Sequence, residues 1–396
     1  MTASSVVIVG GCGRVGLPLG LALANADHQV TLLDIDADAV NRIQQAEMPF
    51  TEEGADEILQ RTVSAGTLTA TTDTAAVATA DHVIVVVGTP VDRHFNPDAQ
   101  MVLRAVEGIQ PHLRNGQHLI LRSTVYPGVT ALVERQLEQQ GLELEVSYCP
   151  ERIAEGKAMT ELYSLPQIIS GRSPRATERA RELFSSLTDT TVEVDIEEAE
   201  LAKLITNTWR YIKFAAANQL YMIANDFGLD YERVRHAVSH DYPRANDLPS
   251  AGLAAGPCLL KDTMQLAAFN RNNFSLGHAS MQINEGLPLY IVDRLERSYD
   301  LTDMTVGLLG MAFKAGSDDI RESLSYKLKR LLVLRSSKVI CTDPHVTDDP
   351  DLVSLDRVLA EADLLVIAAP HAEYRDIQPA VPIVDVSNIT GTGARV

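Results

Sequence analysis

Three polar pairs spaced i,i+4 stand out in the 396-residue chain, because that spacing puts both members on one face of a helix. They are Lys203/Asn207 in the segment 200–209, Cys258/Asp262 in 256–262, and Glu151/Glu155 in 150–156. Lys203 and Asn207 interrupt an otherwise apolar stretch, where an unpaired ammonium is costly. Either they are bonded structurally or they face a polar site. Cys258 follows Gly256-Pro257, a turn that can present a thiol at the start of a helix and lower its pKa. The competing reading is an inert small hydrophobe, and these residues alone leave both open. The ten histidines form no HxxxH and no triad-like local pattern, and Cys12, Cys149, Cys258 and Cys341 form no CxxC pair. Neither a metal site nor a disulfide framework is expected, and a reducing cytoplasm is the default compartment.

A fourth constellation lies at the start. The run Val6-Val7-Ile8-Val9 leads into Gly10-Gly11-Cys12-Gly13-Arg14-Val15-Gly16 and then an apolar helix predicted over 17–26. This is GxGxxG on Gly11, Gly13 and Gly16, between a strand and a helix. The first glycine makes the tight turn and the second lets backbone approach a pyrophosphate. The third permits close helix–strand packing, and the phosphates meet the positive end of the helix. Asp34 closes the next apolar run, where an acid holds the adenosine ribose hydroxyls and would repel the 2′-phosphate of NADP. NAD is therefore the expected cofactor.

These residues need elements to position them. Short β-branched runs predict strands at 6–9, 29–33, 82–87, 118–121, 145–148 and 167–170, alternating with helices in the βαβ rhythm of a parallel sheet. Residues 197–225 contain no Gly or Pro and are apolar on most faces, so they read as one long, largely buried helix. Such a helix forms either a subunit interface or a support between two domains of one chain. Helices continue to about 299, and the βαβ rhythm restarts with strands at 305–309, 339–341, 364–368 and 383–386. The fold class is α/β, with two Rossmann-like domains joined by a central long-helix all-α domain, a dimerisation domain on the first of those readings. The boundaries are 1–195 for an NAD-binding domain, 196–300 for the helical core and 301–396 for the second Rossmann-like domain.

Composition agrees with a globular protein. Hydrophobic residues make up 45% and charged residues 22%, which excludes wholesale disorder. The formal charge of −19 argues against nucleic acid or an anionic membrane as partner, though not against an anionic small molecule in a local basic pocket. No apolar run is long enough to span a bilayer, and residues 1–5 leave no room for a signal peptide ahead of the first strand. A cytoplasmic location is expected.

Taken together, the motifs resemble the nucleotide-sugar 6-dehydrogenase family, the UDP-glucose/GDP-mannose dehydrogenases. The resemblance rests on Gly11-Cys-Gly-Arg-Val-Gly-Leu-Pro18, Val87-Gly-Thr-Pro90, Ser123-Thr-Val125 and Cys149-Pro-Glu-Arg152. It continues with Lys203-Leu-Ile-Thr-Asn207, Cys258-Leu-Leu-Lys-Asp262 and Gly310-Met-Ala-Phe-Lys314 followed by Asp318-Asp-Ile-Arg-Glu-Ser323. It implies an NAD-dependent, four-electron oxidation of C6 of a nucleotide sugar to the uronate, a homodimer, and a role in polysaccharide biosynthesis. Cys258 would trap the aldehyde as a thiohemiacetal and carry the thioester. Lys203 and Asn207 would stabilise oxyanion character at C6, Asp262 would act with water as general base, and Thr124 and Glu155 would position that water. Glu151 would support the site or anchor its loop. For the cofactor, the resemblance implies Gly11, Gly13, Arg14, Val15, Gly16, Asp34, Thr89, Thr124, Glu155, Lys261 and Arg321. For the sugar it implies Glu151, Lys203, Asn207, Gly256, Lys314 and Arg244, the last across a dimer interface. Lys261 and Arg321 also read as plain surface ion pairs.

The choice of sugar is divided. Pro150-Glu-Arg152 and Pro243-Arg-Ala-Asn246, with Arg244 fourteen residues before Cys258, resemble the UDP-N-acetylmannosamine and UDP-N-acetylglucosamine branch. Leu260-Lys-Asp-Thr263 and Glu155-Gly-Lys-Ala158 resemble the UDP-glucose branch. The favoured substrate is a UDP-N-acetylhexosamine, with UDP-glucose as the alternative. Two departures from the family pattern are Pro257 immediately before Cys258, and Val386-Ser-Asn388 where an Arg before the Asn is common. Two further readings are a two-electron 3-hydroxyacid-type dehydrogenase, separated by one NADH per substrate instead of two, and a non-catalytic sensor, which has no need of Cys258.

Overall fold

The computed structural model describes residues 3–90, 98 and 100–396. The chain divides into two compact units, Met1–Thr206 and Asn207–Val396.

In the first unit, β1 (Ser5–Val9), β2 (Gln29–Leu33), β3 (Leu68–Thr71), β4 (His82–Val85), β5 (His118–Leu121) and β6 (Glu145–Tyr148) form one parallel sheet in the order β3-β2-β1-β4-β5-β6. Alternation along β1 sends Val6 and Ile8 to a core with Leu17, Leu19 and Leu21 of the helix Gly16–Asn25. Val7 and Val9 go to a second core with Val102, Val106 and Val129 on the other face. A smaller parallel pair, β7 (Gln167–Ile169) with β8 (Thr191–Glu193), lies beside them in sequence. The order 3-2-1-4-5-6 is that of a dinucleotide-binding sheet, whose ligands sit beyond the carboxyl ends of the strands. Strands β3 and β8 escaped the sequence reading. Leu68-Thr-Ala-Thr71 buries only alternate side chains at a sheet edge, and Thr191-Val-Glu193 is mostly exposed, so neither shows a continuous apolar run.

The helix Ile196–Asp226 starts in the first unit and continues into the second. There, the helices Tyr231–Ser239, Leu259–Phe269 and Ser275–Ser298 precede a second parallel sheet. It comprises β9 (Thr305–Leu309), β10 (Lys338–Thr342), β11 (Leu364–Ile367) and β12 (Ile383–Asp385) in the order β10-β9-β11-β12. Ala217, Tyr221, Leu287 and Ile291 from the helices share one core with Val306, Leu308 and Val366 from this sheet. Among the described residues no helix is long and apolar enough to cross a membrane.

The first sheet also contains a buried histidine pair. His82 and His118 stand opposite each other at the starts of β4 and β5, with their Nδ1 atoms 3.0 Å apart. Ser147 Oγ donates to the Ala176 carbonyl, so it accepts from His118 Nε2, 2.8 Å away. His118 Nδ1 is then left to accept from His82 Nδ1–H. In this arrangement a second proton on His118 would have to point at the His82 Nδ1–H, so the pair favours two neutral rings. Burial first, then the Arg179 charge, pulls His82 down to about 4; burial and the neighbouring His82 pull His118 down to about 2. Both groups titrate near 6.5 when unfolded, so the stabilisation is complete above that pH and is lost as pH falls toward 4. The pair should cost about 2 kcal/mol for each histidine at pH 5 relative to neutral pH. Urea unfolding at pH 7.5, 6 and 5 measures this slope, and His118→Leu should lower it by about half. An equally steep slope in that variant would contradict the assignment.

Candidate active site

The carboxyl end of the first sheet gathers the glycine-rich turn and four loops. Gly10 adopts φ +79°, and a Cβ there would lie 2.1 Å from the Val86 carbonyl oxygen. The left-handed residue of the turn is therefore Gly10, a correction to the role expected of Gly11. Gly11 instead lies against Leu32, and Gly16 lies against Gly10, each too tightly for a side chain. A Cβ on Gly13 would meet only the Gly10 oxygen at 3.7 Å, so its outer side is open. Val15, the N-cap of the helix Gly16–Asn25, supplies no side-chain cap, and the first turn carries no acid. Leu17 N already bonds the Gly13 carbonyl at 3.0 Å and Pro18 has no amide hydrogen, so what the helix start offers an anion is the positive end of its dipole. Asp34 immediately follows β2, accepting from Cys12 N at 2.9 Å and Asp36 N at 3.2 Å. Burial, Asp34 and Asp36 push the Cys12 thiol up to about 12. The open Gly13, the uncapped helix start and the acid at the β2 terminus together fit a dinucleotide with a free ribose diol.

Two carboxylates expected on one helical face part company. Residues 149–157 form a loop between Pro150 and Gly156, not a helix. Glu155 pairs with Arg14 of the glycine-rich turn at 3.1 Å. Glu151 is buried and turned the other way: its Oε2 accepts from Arg122 Nε at 3.1 Å, and its Oε1 accepts from the amides of Arg152 and Ile153 at 2.7 and 3.0 Å. Arg122 is itself fully enclosed, bonding Cys149 O and Gln167 as well. Glu151 therefore anchors the loop, the second of the two roles implied for it. Glu52 fastens the other end, accepting from Gly156 N at 2.9 Å and Ala158 N at 2.7 Å. Neither Arg122 nor Glu52 was singled out in the sequence, because partners 29 and 104 residues away leave no local spacing. Thr89 and Thr124 follow β4 and β5, and Ser123 Oγ ties these loops together by accepting from Val87 N at 2.7 Å.

On the long helix, Glu200, Lys203 and Asn207 fall at i, i+3 and i+7, and all three are buried. Glu200 accepts from Gly128 N, Thr130 N and Thr130 Oγ1 at 2.6, 2.8 and 2.6 Å, capping the helix Val129–Gln139. Burial pushes its carboxyl up, and those three bonds oppose the shift.

In the second unit, Asn207 Nδ2 donates to Asp262 Oδ2 at 2.5 Å, and Lys261 Nζ lies 2.6 Å from Asp262 Oδ1. Asp262 is completely buried. It lies one turn after Cys258, with its amide bonded to the Cys258 carbonyl at 2.9 Å. Cys258 is the N-cap residue of the helix Leu259–Phe269 and is exposed, whereas Cys12, Cys149 and Cys341 are buried. Gly256, at φ +103°, rests on the Phe313 ring, where a Cβ would approach to 2.5 Å; Lys314 Nζ lies 5.6 Å from that ring. Arg321 is 59% exposed and pairs with buried Asp319 at 2.6 Å. Arg244 lies on an exposed segment, bonded to Tyr242 Oη at 2.9 Å. Among the described residues one group has metal-compatible side chains, His345, His371 and Glu373. His371 already uses both ring nitrogens, on Gly316 N and Asp343, which leaves no lone pair for an ion.

The sequence matches three consecutive domains of the UDP-glucose/GDP-mannose dehydrogenase family: the NAD binding domain over residues 5–188, the central domain over 197–286 and the UDP binding domain over 307–392. It is 29% identical to a UDP-N-acetyl-D-mannosamine dehydrogenase of Methanocaldococcus jannaschii, over 97% of this chain and 88% of that one. It is 28% identical to an NDP-N-acetyl-D-galactosaminuronic acid dehydrogenase of Ralstonia solanacearum, over 94% and 92%. Among solved structures, a UDP-glucose dehydrogenase from Pyrobaculum islandicum superimposes with a TM-score of 0.92 at 26% identity, covering 100% of this chain and 97% of that one.

The anchoring role of Glu151 has a measurable consequence. Glu151→Ala strands the enclosed Arg122 charge and should destabilise the first unit by about 3–5 kcal/mol, read as a fall in thermal midpoint of roughly 10 °C. An unchanged midpoint with lost turnover would return Glu151 to the chemistry.

Proposed function

The chain belongs to the UDP-glucose/GDP-mannose dehydrogenase family of NAD-dependent nucleotide-sugar dehydrogenases, and from that premise we propose that it oxidises C6 of a UDP-N-acetylhexosamine to the uronate through a thioester on Cys258. The observation that carries this reading is the single exposed thiol at a helix start, one turn from a buried carboxylate bonded to Asn207. The N-acetylhexosamine is supported by the names of the two curated relatives, by Arg152 after Glu151, and by Arg244 fourteen residues before Cys258.

The overall balance is one primary alcohol, two NAD⁺ and one water giving one carboxylate, two NADH and three protons. NAD, when bound, accepts one hydride from C6 in each of two oxidations. The chain's own groups do the rest. Lys203 and Asn207, spaced one turn apart, stabilise negative charge on the C6 oxygen as the alcohol gives up its proton. Cys258 adds as thiolate to the aldehyde carbon, forming a C–S bond and a thiohemiacetal held in place for the second oxidation. Water attacks the resulting thioester with Asp262 as its base, breaking that bond and returning the thiolate; Thr124 and Glu155 orient the water. Gly11, Gly13, Arg14, Val15, Gly16, Asp34 and Thr89 are assigned to the cofactor. Lys261 and Arg321, paired with Asp262 and Asp319, are assigned to it as well. Gly256, Lys314 and Arg244 are assigned to the nucleotide sugar. The domains divide by role at 1–195, 196–300 and 301–396.

The helix Ile196–Asp226 carries exposed apolar side chains at Trp209, Leu220 and Ile223, followed just past its end by Phe227, 78% exposed. A row of this kind on a soluble enzyme marks an interface, and we assign it to a homodimer.

Purified protein incubated with NAD and, separately, UDP-N-acetylmannosamine, UDP-N-acetylglucosamine, UDP-glucose and GDP-mannose should yield two NADH per sugar with a UDP-N-acetylhexosamine, and a uronate by mass. One NADH per sugar would contradict the mechanism, and turnover of UDP-glucose alone would contradict the sugar. Cys258→Ala should abolish uronate while leaving NAD affinity within about twofold. For the dimer, Leu220→Asp with Ile223→Asp should shift the sedimenting species to monomer and remove activity. A wild-type monomer with full activity would defeat that assignment.

A further inference from the structure

The Asp343–His371 pair sits beyond the carboxyl ends of β10 and β11, and both side chains are entirely enclosed. Asp343 Oδ2 accepts from Met311 N at 2.7 Å, Ala312 N at 2.9 Å and His371 Nε2 at 3.0 Å. Its Oδ1 accepts from His345 N at 2.8 Å and Val346 N at 3.1 Å. Burial opposes ionisation of Asp343, but the His371 and backbone bonds outweigh it and hold the carboxyl well below the usual range. The other ring nitrogen of His371, Nδ1, accepts from Gly316 N at 3.1 Å. The loop 310–316 is thus pinned at its start by the carboxylate and at its end by the imidazole. Gly310, at φ +91°, is pressed so closely on Ala369 that a Cβ would lie 2.4 Å from the Ala369 oxygen. In the middle of this loop stand Phe313, the surface on which Gly256 rests, and Lys314. Gly256 is two residues before Cys258.

We propose that His371, paired with Asp343, is a positioning residue for the nucleotide-sugar side of the site: the pair clamps both ends of the 310–316 loop, whose Phe313 ring braces the Gly256–Cys258 turn and whose Lys314 faces the sugar nucleotide. The assignment of Lys314 and Cys258 rests on the function proposed above, whereas the clamp and the brace are geometry within one unit. A neutral imidazole suits the task because one nitrogen donates to Asp343 while the other accepts from Gly316. Asn keeps the acceptor near the Nδ1 position, and Gln keeps the donor near Nε2, so the two halves of the clamp can be separated.

The test compares His371→Ala, His371→Asn and His371→Gln with the wild-type enzyme in two measurements. The first is steady-state kinetics with the nucleotide sugar and NAD varied separately. The second is the rate of iodoacetamide alkylation at Cys258, the exposed thiol of the four, which needs no substrate. In His371→Ala the KM for the nucleotide sugar should rise about tenfold or more while the KM for NAD stays within about twofold. Its alkylation rate should depart about fivefold from wild type. His371→Asn should recover most of both effects, and His371→Gln less. Unchanged sugar KM and alkylation in a folded His371→Ala protein would overturn the proposal, as would equal losses for sugar and NAD. Should His371→Ala fail to fold, Phe313→Leu removes the brace alone and should reproduce the alkylation change; wild-type alkylation in that variant would overturn the brace. A wild-type enzyme inactive on every nucleotide sugar would defeat the proposed function, and the alkylation comparison would still decide the clamp.

Discussion

A polar side chain buried on an apolar helix must find a partner or cost about 1–3 kcal/mol, and more if charged. That constraint organises the helix Ile196–Asp226. Glu200 is satisfied by the start of the helix Val129–Gln139, Asn207 by Asp262, Asn218 by both sides of Gly252 and by Asn284, and Asn225 by Tyr290 and the backbone of Val396. Each bond fixes a different segment against a rod whose rise per residue is invariant. Lys203 and Asn207 are therefore held one turn apart, close to 6 Å along the axis by the ordinary rise of about 1.5 Å per residue.

Burial separates Cys258 from the other three thiols. Burial pushes Cys149 and Cys341 up to about 11, and burial with two aspartates raises Cys12 further. None of these is available as thiolate at neutral pH. Cys258 escapes burial at the N-cap of a helix, and its turn is shaped by Gly256 at a conformation that a side chain would resist. Pro257, which separates the two, removes one backbone donor and stiffens the approach.

Much of this was legible in the residues. Strands at 29–33, 118–121, 145–148 and 305–309 form where the β-branched runs stand, because buried parallel strands need apolar residues on both faces. The long helix, read over 197–225, forms as Ile196–Asp226. The spacings of Lys203/Asn207 and Cys258/Asp262 survive because they lie within helices, and local periodicity reports local structure. Glu151/Glu155 has the same spacing and a different outcome: Pro150 and Gly156 favour a loop, and Arg122, 29 residues away, takes Glu151 inward. Long-range polar pairs such as Arg122–Glu151, Glu52–Gly156 and Asp343–His371 leave no periodic trace. The edge strand Leu68–Thr71 is invisible for a different reason, since half its side chains face outward.

The covalent role of Cys258 is tested most directly by intact-protein and peptide mass analysis of an Asp262→Asn enzyme quenched after mixing with NAD and the nucleotide sugar. With the proposed base for hydrolysis removed, the expected species is the thioester: the protein mass raised by that of the substrate less four hydrogens, located on the peptide containing Cys258. NADH formation with no adduct on that peptide, or an adduct on another residue, would contradict the mechanism.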